Sequence, residues 1–342
     1  MMAAGSASSR VSVYRWDLDK TYLRTDFDRL RELIRVPFQK AADKIDVPGV
    51  VELIRSLRDC ARREGREARV YFISASPPQI GQAIREKFAL DGVEIDGIVF
   101  KDQLRVLMRG KLRSLREQVG FKLAELLRGR ISVPEESAEF LFGDDWEADP
   151  IIYSVYADLV AGRLDAAGLE AVLAKVSVDR EWRAEIERLL PAVPHRDVVR
   201  RIFINLERKT PPASFRAFGS RLVPTFNYFQ TAACLYAEGE LDSASVARVG
   251  RTLIERDGYT REMLENSLGD IVRRQHLAAE AEDRLVKELW RAGLLPERRV
   301  PLRRRLVARV RSWARRDRPQ AAASPAETLD YGSIVESWRG ES

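Results

Sequence analysis

The sequence predicts an α/β protein: a Rossmann-like parallel sheet in the first half, followed by an all-helical domain. Short apolar runs at Val11 to Trp16, Val70 to Ile73, Ile98 to Phe100 and Glu139 to Phe142 alternate with helical patterns up to about residue 160, the signature of strands joined by crossover helices. Each run ends in a polar cluster, Asp17-Leu18-Asp19, Ser74-Ala75-Ser76, Lys101-Asp102 and Gly143-Asp144-Asp145. In an open parallel sheet, strands deliver such clusters to one crevice at their carboxyl ends. Beyond Ile151 strand signals fade and helical patterns follow at 151–161, 166–176, 180–190, 197–207, 222–238, 243–256 and 260–291.

Taken in order, residues 1–10 lack an apolar segment and are expected to be disordered. The sheet domain is expected over 11–178. Residues 22–47 form a charged insertion carrying Leu30, Leu33, Ile34, Val36 and Phe38, read as a small flap. After Pro48-Gly49, Val50, Leu53, Ile54, Leu57 and Ala61 make an apolar stripe at helical spacing that stops at Gly65, a crossover helix. The helical domain is expected over 179–292, a basic amphipathic segment over 296–318 and a disordered tail over 319–342. In that tail Leu329, Tyr331, Ile334, Val335 and Trp338 are candidates for a short docking motif.

Composition narrows the chemistry. The chain has 342 residues, 45% of them hydrophobic, enough for a sizeable core. No run approaches the 18 apolar residues of a membrane span, so the expectation is a cytoplasmic protein, peripheral at a membrane if it meets one. Cys60 and Cys234 stand alone, and His195 and His276 are the only histidines. Thiolate or imidazole metal sites and a Ser-His-Asp triad therefore lack their residues. Carboxylates, lysines and hydroxyls must carry any chemistry.

The run Val13-Tyr14-Arg15-Trp16-Asp17-Leu18-Asp19-Lys20-Thr21 ends in paired aspartates. The period-2 alternation of a strand points Asp17 and Asp19 to the same side, an arrangement suited to a metal-assisted nucleophile. After the Glu139 strand, Asp144, Asp145, Glu147 and Asp149 place four carboxylates within six residues. Such a density repels itself unless a cation neutralises it. Magnesium, which takes a few carboxylate oxygens and leaves sites for water and phosphate, is the expected cofactor.

In their order along the chain these clusters resemble the four motifs of the haloacid dehalogenase superfamily of phosphotransferases. The resemblance implies Asp17 as nucleophile, Asp19 as general acid and base, Ser74 as a phosphoryl-binding hydroxyl, and Lys122 as the charge-stabilising lysine. It implies Asp144 and Asp149 as metal carboxylates, with Asp145 competing for the second place; Asp17, Asp19, Asp144, Asp145 and Asp149 are thus the metal candidates. Thr21, Ser76 and Lys101 are the substrate-binding candidates, Lys101 being the alternative cation. A narrower resemblance covers residues 11 to about 160. Arg35-Val36-Pro37-Phe38, Val47-Pro48-Gly49-Val50, Ser74-Ala75-Ser76-Pro77-Pro78-Gln79, Phe100-Lys101-Asp102 and Gly143-Asp144 with Glu147, Asp149 and Pro150 look like the catalytic domain of actin-patch-type phosphatidate phosphatases. Lys20, Trp16, Phe121 and Asp145-Trp146 depart from that pattern, and the two tryptophans are expected to flank the metal and narrow the pocket.

The resulting expectation is a magnesium-dependent phosphomonoester hydrolase with an aspartyl-phosphate intermediate, acting on a phosphorylated small molecule or a phospholipid such as phosphatidate. The alternative from another class is a catalytically weak scaffold that binds phospho-ligands or anionic lipid. The net charge of +6 is uneven, since Pro296 to Pro319 enclose ten arginines against Glu297 and Asp317. Within 302–316, Leu302, Leu306, Val310 and Trp313 form one apolar stripe among those arginines, a pattern suited to an anionic membrane surface. The segment lacks an aromatic stacking array, which argues against nucleic acid.

Overall fold

A computed structural model describes residues 10–24, 46–76, 78–101, 115–296 and 329–341. The expected basic segment 296–318, the core of the expected flap and residues 1–9 lie outside the described residues, except for Pro296. The chain divides into two compact units, Met1–Phe226 with Thr328–Ser342, and Asn227–Glu327.

The first unit is built on a six-stranded parallel sheet flanked by helices. Its strands are β1 (Val11–Asp17), β2 (Glu67–Ser74), β3 (Gly97–Phe100), β4 (Ala138–Asp144), β5 (Val199–Asn205) and β6 (Leu222–Thr225), in the spatial order β3-β2-β1-β4-β5-β6. The central strand β1 pairs with β2, Asp17 opposite Ile73, and with β4, Trp16 opposite Phe142. Helices α1 (Val50–Arg63), α2 (Gly81–Leu90), α3 (Leu115–Ile131), α4 (Asp149–Val160), α5 (Ala166–Val176) and α6 (Arg180–Leu189) fill the connections. The sheet thus delivers Asp17, Ser74, Lys101 and Asp144 to one edge, as the strand-end clusters predict.

The alternation of β1 sorts its residues between two layers. Tyr14 and Trp16 join an aromatic layer in which Trp16 stacks on Phe142 at 3.7 Å between ring centroids and Phe142 stacks on Phe203 at 5.3 Å. Trp16 is therefore a fully buried core residue, not a neighbour of a metal, because the residue before Asp17 must point to the opposite face. On the other face, Arg15 meets Glu139 of β4 at 2.9 Å, and Glu139 also accepts from Tyr156 of α4 at 2.7 Å and faces Arg130 of α3 at 3.5 Å. A Cβ at Gly129 would stand 2.3 Å from an Arg15 nitrogen, so only glycine lets α3 approach this ion pair.

Three expectations are corrected here. The patterns at 197–207 and 222–238 begin as strands β5 and β6, so the sheet continues past residue 178 and the region 179–292 is not all-helical. Ile202, Phe203 and Ile204 are buried within β5, and Pro224 is tolerated because β6 is an edge strand that needs fewer donors. The boundary between compact units falls after Phe226, because α5 and α6 belong to the sheet unit: Trp182 of α6 lies edge-on to Phe121 of α3, with ring centroids 5.9 Å apart. The tail is not disordered throughout, since Tyr331–Glu341 forms helix α11. Its Tyr331, Ile334 and Val335 are buried in the sheet unit's core, and the Tyr331 hydroxyl donates to Asp158 at 2.7 Å.

The ends of the predicted flap are pinned together, Leu23 bridging antiparallel to Asp46 and the Val47 N–H donating to the Tyr22 carbonyl at 2.9 Å. The second unit contains α7 (Tyr228–Ala237), α8 (Ser243–Asp257), α9 (Arg261–Arg273) and α10 (Ala279–Arg291). Asn227, Asp242 and Thr260 cap the first three by accepting from Gln230, Ser245 and Met263 N–H groups. The single pattern at 260–291 is broken near Gln275, whose backbone is left-handed at φ 65°. No helix among the described residues is long and apolar enough to cross a membrane.

Candidate active site

Asp17, the last residue of β1, is 1% exposed. Its Oδ1 lies 2.7 Å from Lys122 Nζ, while its Oδ2 is buried with no hydrogen-bond partner among the described residues. Lys122 projects from α3 and also reaches Asp149 at 2.5 Å and Glu147 at 2.8 Å. Glu147 was counted in the acidic cluster by the sequence, but its pairing with Lys122 was not legible there; only its place in the dense acidic run hinted at it. Lys122 is fully buried. Burial opposes its charge, yet Asp149, Asp17 and Glu147 outweigh that and hold its ammonium well above the ordinary lysine range.

Asp149 opens α4, followed by Pro150, whose missing N–H costs nothing in a first helical turn. Its Oδ2 accepts from the Asp144 N–H at 3.3 Å. The side chain folds back over Gly143, where an added Cβ would fall 2.4 Å from Asp149 Oδ2. Asp144, at the end of β4, accepts from the N–H groups of Trp146 at 2.6 Å and Glu147 at 3.0 Å, and Thr21 Oγ1 donates to its Oδ2 at 3.5 Å. Thr21 thereby ties the loop after β1 to the end of β4.

Asp17, Asp144 and Asp149 each offer an oxygen, and these oxygens lie within 4.8 Å of one another. The span across a six-coordinate magnesium ion is about 4 Å, so the hard-oxygen trio fits a small divalent cation. The unpartnered Asp17 oxygen fits it as well. Burial is the main cause that raises Asp17, Asp144 and Asp149 above the ordinary carboxylate range, and mutual repulsion adds to it, against the attraction of Lys122. A cation would reverse that repulsion.

Two of the five carboxylates expected at the metal are placed elsewhere. Asp145 turns away: its oxygens accept from the N–H groups of Arg208 at 2.9 Å and Thr210 at 3.1 Å, fixing the loop after β5. Asp19 lies outside the trio, and its Oδ2 accepts from Ser76 Oγ at 2.8 Å and Ser74 Oγ at 3.4 Å. The two serines of the loop after β2 thus orient Asp19, and Ser74 Oγ accepts in turn from the Ser76 N–H at 3.1 Å. Lys101 is buried at the end of β3, with its N–H donating to the Ser74 carbonyl at 3.1 Å. Trp146 is 50% exposed, unlike the buried Trp16.

The geometry therefore separates two carboxylate groups: a trio beside a buried ammonium, and a single aspartate held by two hydroxyls. That separation suits a reaction needing one anionic attacker and one proton carrier. No curated protein and no solved structure matches the chain. Residues 16–169 match the family model described as phosphatidate phosphatase APP1, catalytic domain, so this part of the chain is similar to that phosphatase domain.

Proposed function

We propose that the chain is a magnesium-dependent phosphomonoester hydrolase of the haloacid dehalogenase superfamily, working through an aspartyl-phosphate on Asp17 and acting on phosphatidate or a similar phospholipid. The observation that carries this reading is the buried Asp17, Asp144 and Asp149 trio with an unpartnered Asp17 oxygen beside Lys122. The family match supports phosphatase chemistry and a phospholipid substrate. The order of Asp17, Asp19, Ser74, Lys122 and Asp144 along the chain supports the superfamily assignment.

A carboxylate oxygen of Asp17 attacks phosphorus, a new oxygen–phosphorus bond forms, and the bond to the leaving oxygen breaks with its electron pair on that oxygen. Asp19 supplies the proton the leaving oxygen needs. It then takes a proton from water as the water attacks the phosphorus of the aspartyl-phosphate, which releases phosphate and restores Asp17. Asp17, Asp144 and Asp149 would hold magnesium, and when bound the ion supplies neutralising charge to the phosphoryl oxygens. Ser74 and Ser76 orient Asp19, and Lys122 steadies negative charge next to the attacking group, the electrostatic work on which phosphoryl transfer chiefly depends.

The test is phosphate release from an aryl phosphate and from phosphatidate, with magnesium or with EDTA. Metal-dependent release by the wild type and none by Asp17→Asn supports the reading. A wild type that releases no phosphate from either substrate overturns it.

A further inference from the structure

The carboxylates of the site lie deep, around the buried Lys122. Asp17, Asp144, Asp145 and Asp149 are buried, and Glu147 turns to Lys122. On the outer rim the loops after the neighbouring strands β1, β4 and β5 bring together Lys20, Trp146 and Arg208. The Lys20 ammonium lies 3.7 Å from the centroid of the Trp146 ring, and the Arg208 guanidinium carbon lies 5.2 Å from it. Arg208 and its neighbour Lys209 are exposed, as is Arg24. Among the described residues of these loops the one exposed acid is Glu207, which accepts from Asn205 Nδ2 at 3.1 Å.

Two features set this rim apart from an ordinary charged surface. A half-exposed indole leaves a large apolar face in water, and here the ring carries cations from two separate loops. Lys20 and Lys209 both have left-handed backbones, at φ 61° and φ 60°, a conformation that costs a non-glycine residue roughly 1–2 kcal/mol. Such strain persists where the surroundings hold the residue in place, most often at functional sites.

An amphipathic ring flanked by cations is matched by the headgroup layer of an anionic bilayer, where indole sits at the interface and lysine and arginine meet lipid phosphates. We propose that Lys20, Trp146 and Arg208 form a docking lip that seats the mouth of the site on an anionic lipid surface. This inference rests on the phosphatase reading only for its purpose: a phospholipid headgroup reaches Asp17 when the rim lies against the bilayer. Arg208 is fixed to the site through its own N–H on Asp145, so the lip and the catalytic edge move as one.

The experiment uses the full chain, without metal, and vesicles of brominated phosphatidylcholine with or without phosphatidylglycerol, a lipid with no phosphomonoester. Bromine quenches the tryptophans that reach the acyl boundary, and comparison with Trp146→Phe isolates the Trp146 contribution, since Trp313 of the arginine-rich segment is present in both. Quenching of Trp146 by the phosphatidylglycerol vesicles is expected, with little by neutral ones. Lys20→Gln with Arg208→Gln should raise the lipid needed for half-maximal Trp146 quenching by roughly fivefold per charge removed. Equal quenching of wild type and Trp146→Phe would overturn the proposal, as would a ring shielded from both lipid and a soluble quencher, which would mark the lip as covered by the chain itself. Hydrolysis is not read, so failure here leaves the phosphatase reading standing, and an inactive enzyme whose Trp146 is quenched leaves the lip standing.

Discussion

Lys122 Nζ lies 2.7 Å from Asp17 Oδ1, with both side chains 1% exposed. The same ammonium contacts Asp149 and Glu147, so one buried cation serves several carboxylates, and Asp144 completes the trio with Asp17 and Asp149. The core of the site is short of positive charge. That imbalance is the physical reason to place a divalent cation there, independent of any resemblance.

Replacing Lys122 with Met removes the only ammonium on Asp17 and Asp149 among the described residues. Leaving a buried charge without its partner typically costs 3–5 kcal/mol, so the loss of stability in the metal-free protein is expected to be about that size. Urea unfolding without metal and then with magnesium checks it, and magnesium should restore part of the loss by taking over the neutralisation.

The metal-free protein should become less stable as pH rises. Asp17, Asp144 and Asp149 are held above their unfolded value of 3.8, first by burial. The folded state then binds more protons than the unfolded one, and unfolding free energy falls from about pH 4 upward through the raised folded pKa. Magnesium favours the ionised trio and releases protons on binding, so its stabilising effect should grow with pH. Thermal melts across pH, with EDTA or magnesium, test both slopes; a metal-free melting temperature that rises over that window would contradict the burial argument.

Asp145 and Asp149 stand four residues apart and should fail differently. Asp145→Ala loses two hydrogen bonds to the loop after β5, a cost of roughly 1–3 kcal/mol, while magnesium affinity stays near wild type. Asp149→Asn should weaken magnesium binding instead. Calorimetric titration with magnesium alone separates the two.

The Glu139 node is predicted to be structural. It ties β1, α3, β4 and α4, the four elements that carry Asp17, Lys122, Asp144 and Asp149, through Arg15, Arg130 and Tyr156. Glu139→Gln leaves two buried guanidiniums without their carboxylate and should cost about 3–5 kcal/mol, whereas Tyr156→Phe should cost about 1 kcal/mol. Denaturant midpoints measure the difference.

The first four strands and the strand-end clusters were legible because each apolar run is bounded by a polar group that has a reason to be there. β5 was not, because Val198, Ile202 and Leu206 recur every four residues and fit a helix as well as the Ile202-Phe203-Ile204 run fits a strand. Local spacing cannot arbitrate; pairing with β4 does. Helix α11 was hidden by its Ala- and Ser-rich approach, although Tyr331, Ile334, Val335 and Trp338 carry a helical stripe. At the site, residue types pointed to Asp17, Asp19 and Asp144 and the resemblance added Ser74 and Lys122, but the direction of each side chain did not follow from order. Asp145 and Asp149 looked interchangeable until backbone donors from Arg208 and Thr210 claimed the first and Lys122 the second. Trp16 belonged to the aromatic core through the same alternation that exposed Asp17 to the site.

Asp17 is the proposed carrier of the phosphoryl group, and the direct measurement is mass spectrometry of the acid-quenched enzyme during turnover with magnesium, using Asp19→Asn to slow the second step. One phosphoryl group is expected on the peptide that contains Asp17, removable by hydroxylamine and missing from Asp17→Asn. Metal-dependent phosphate release with an unlabelled Asp17 peptide, in the wild type and in Asp19→Asn alike, would contradict it.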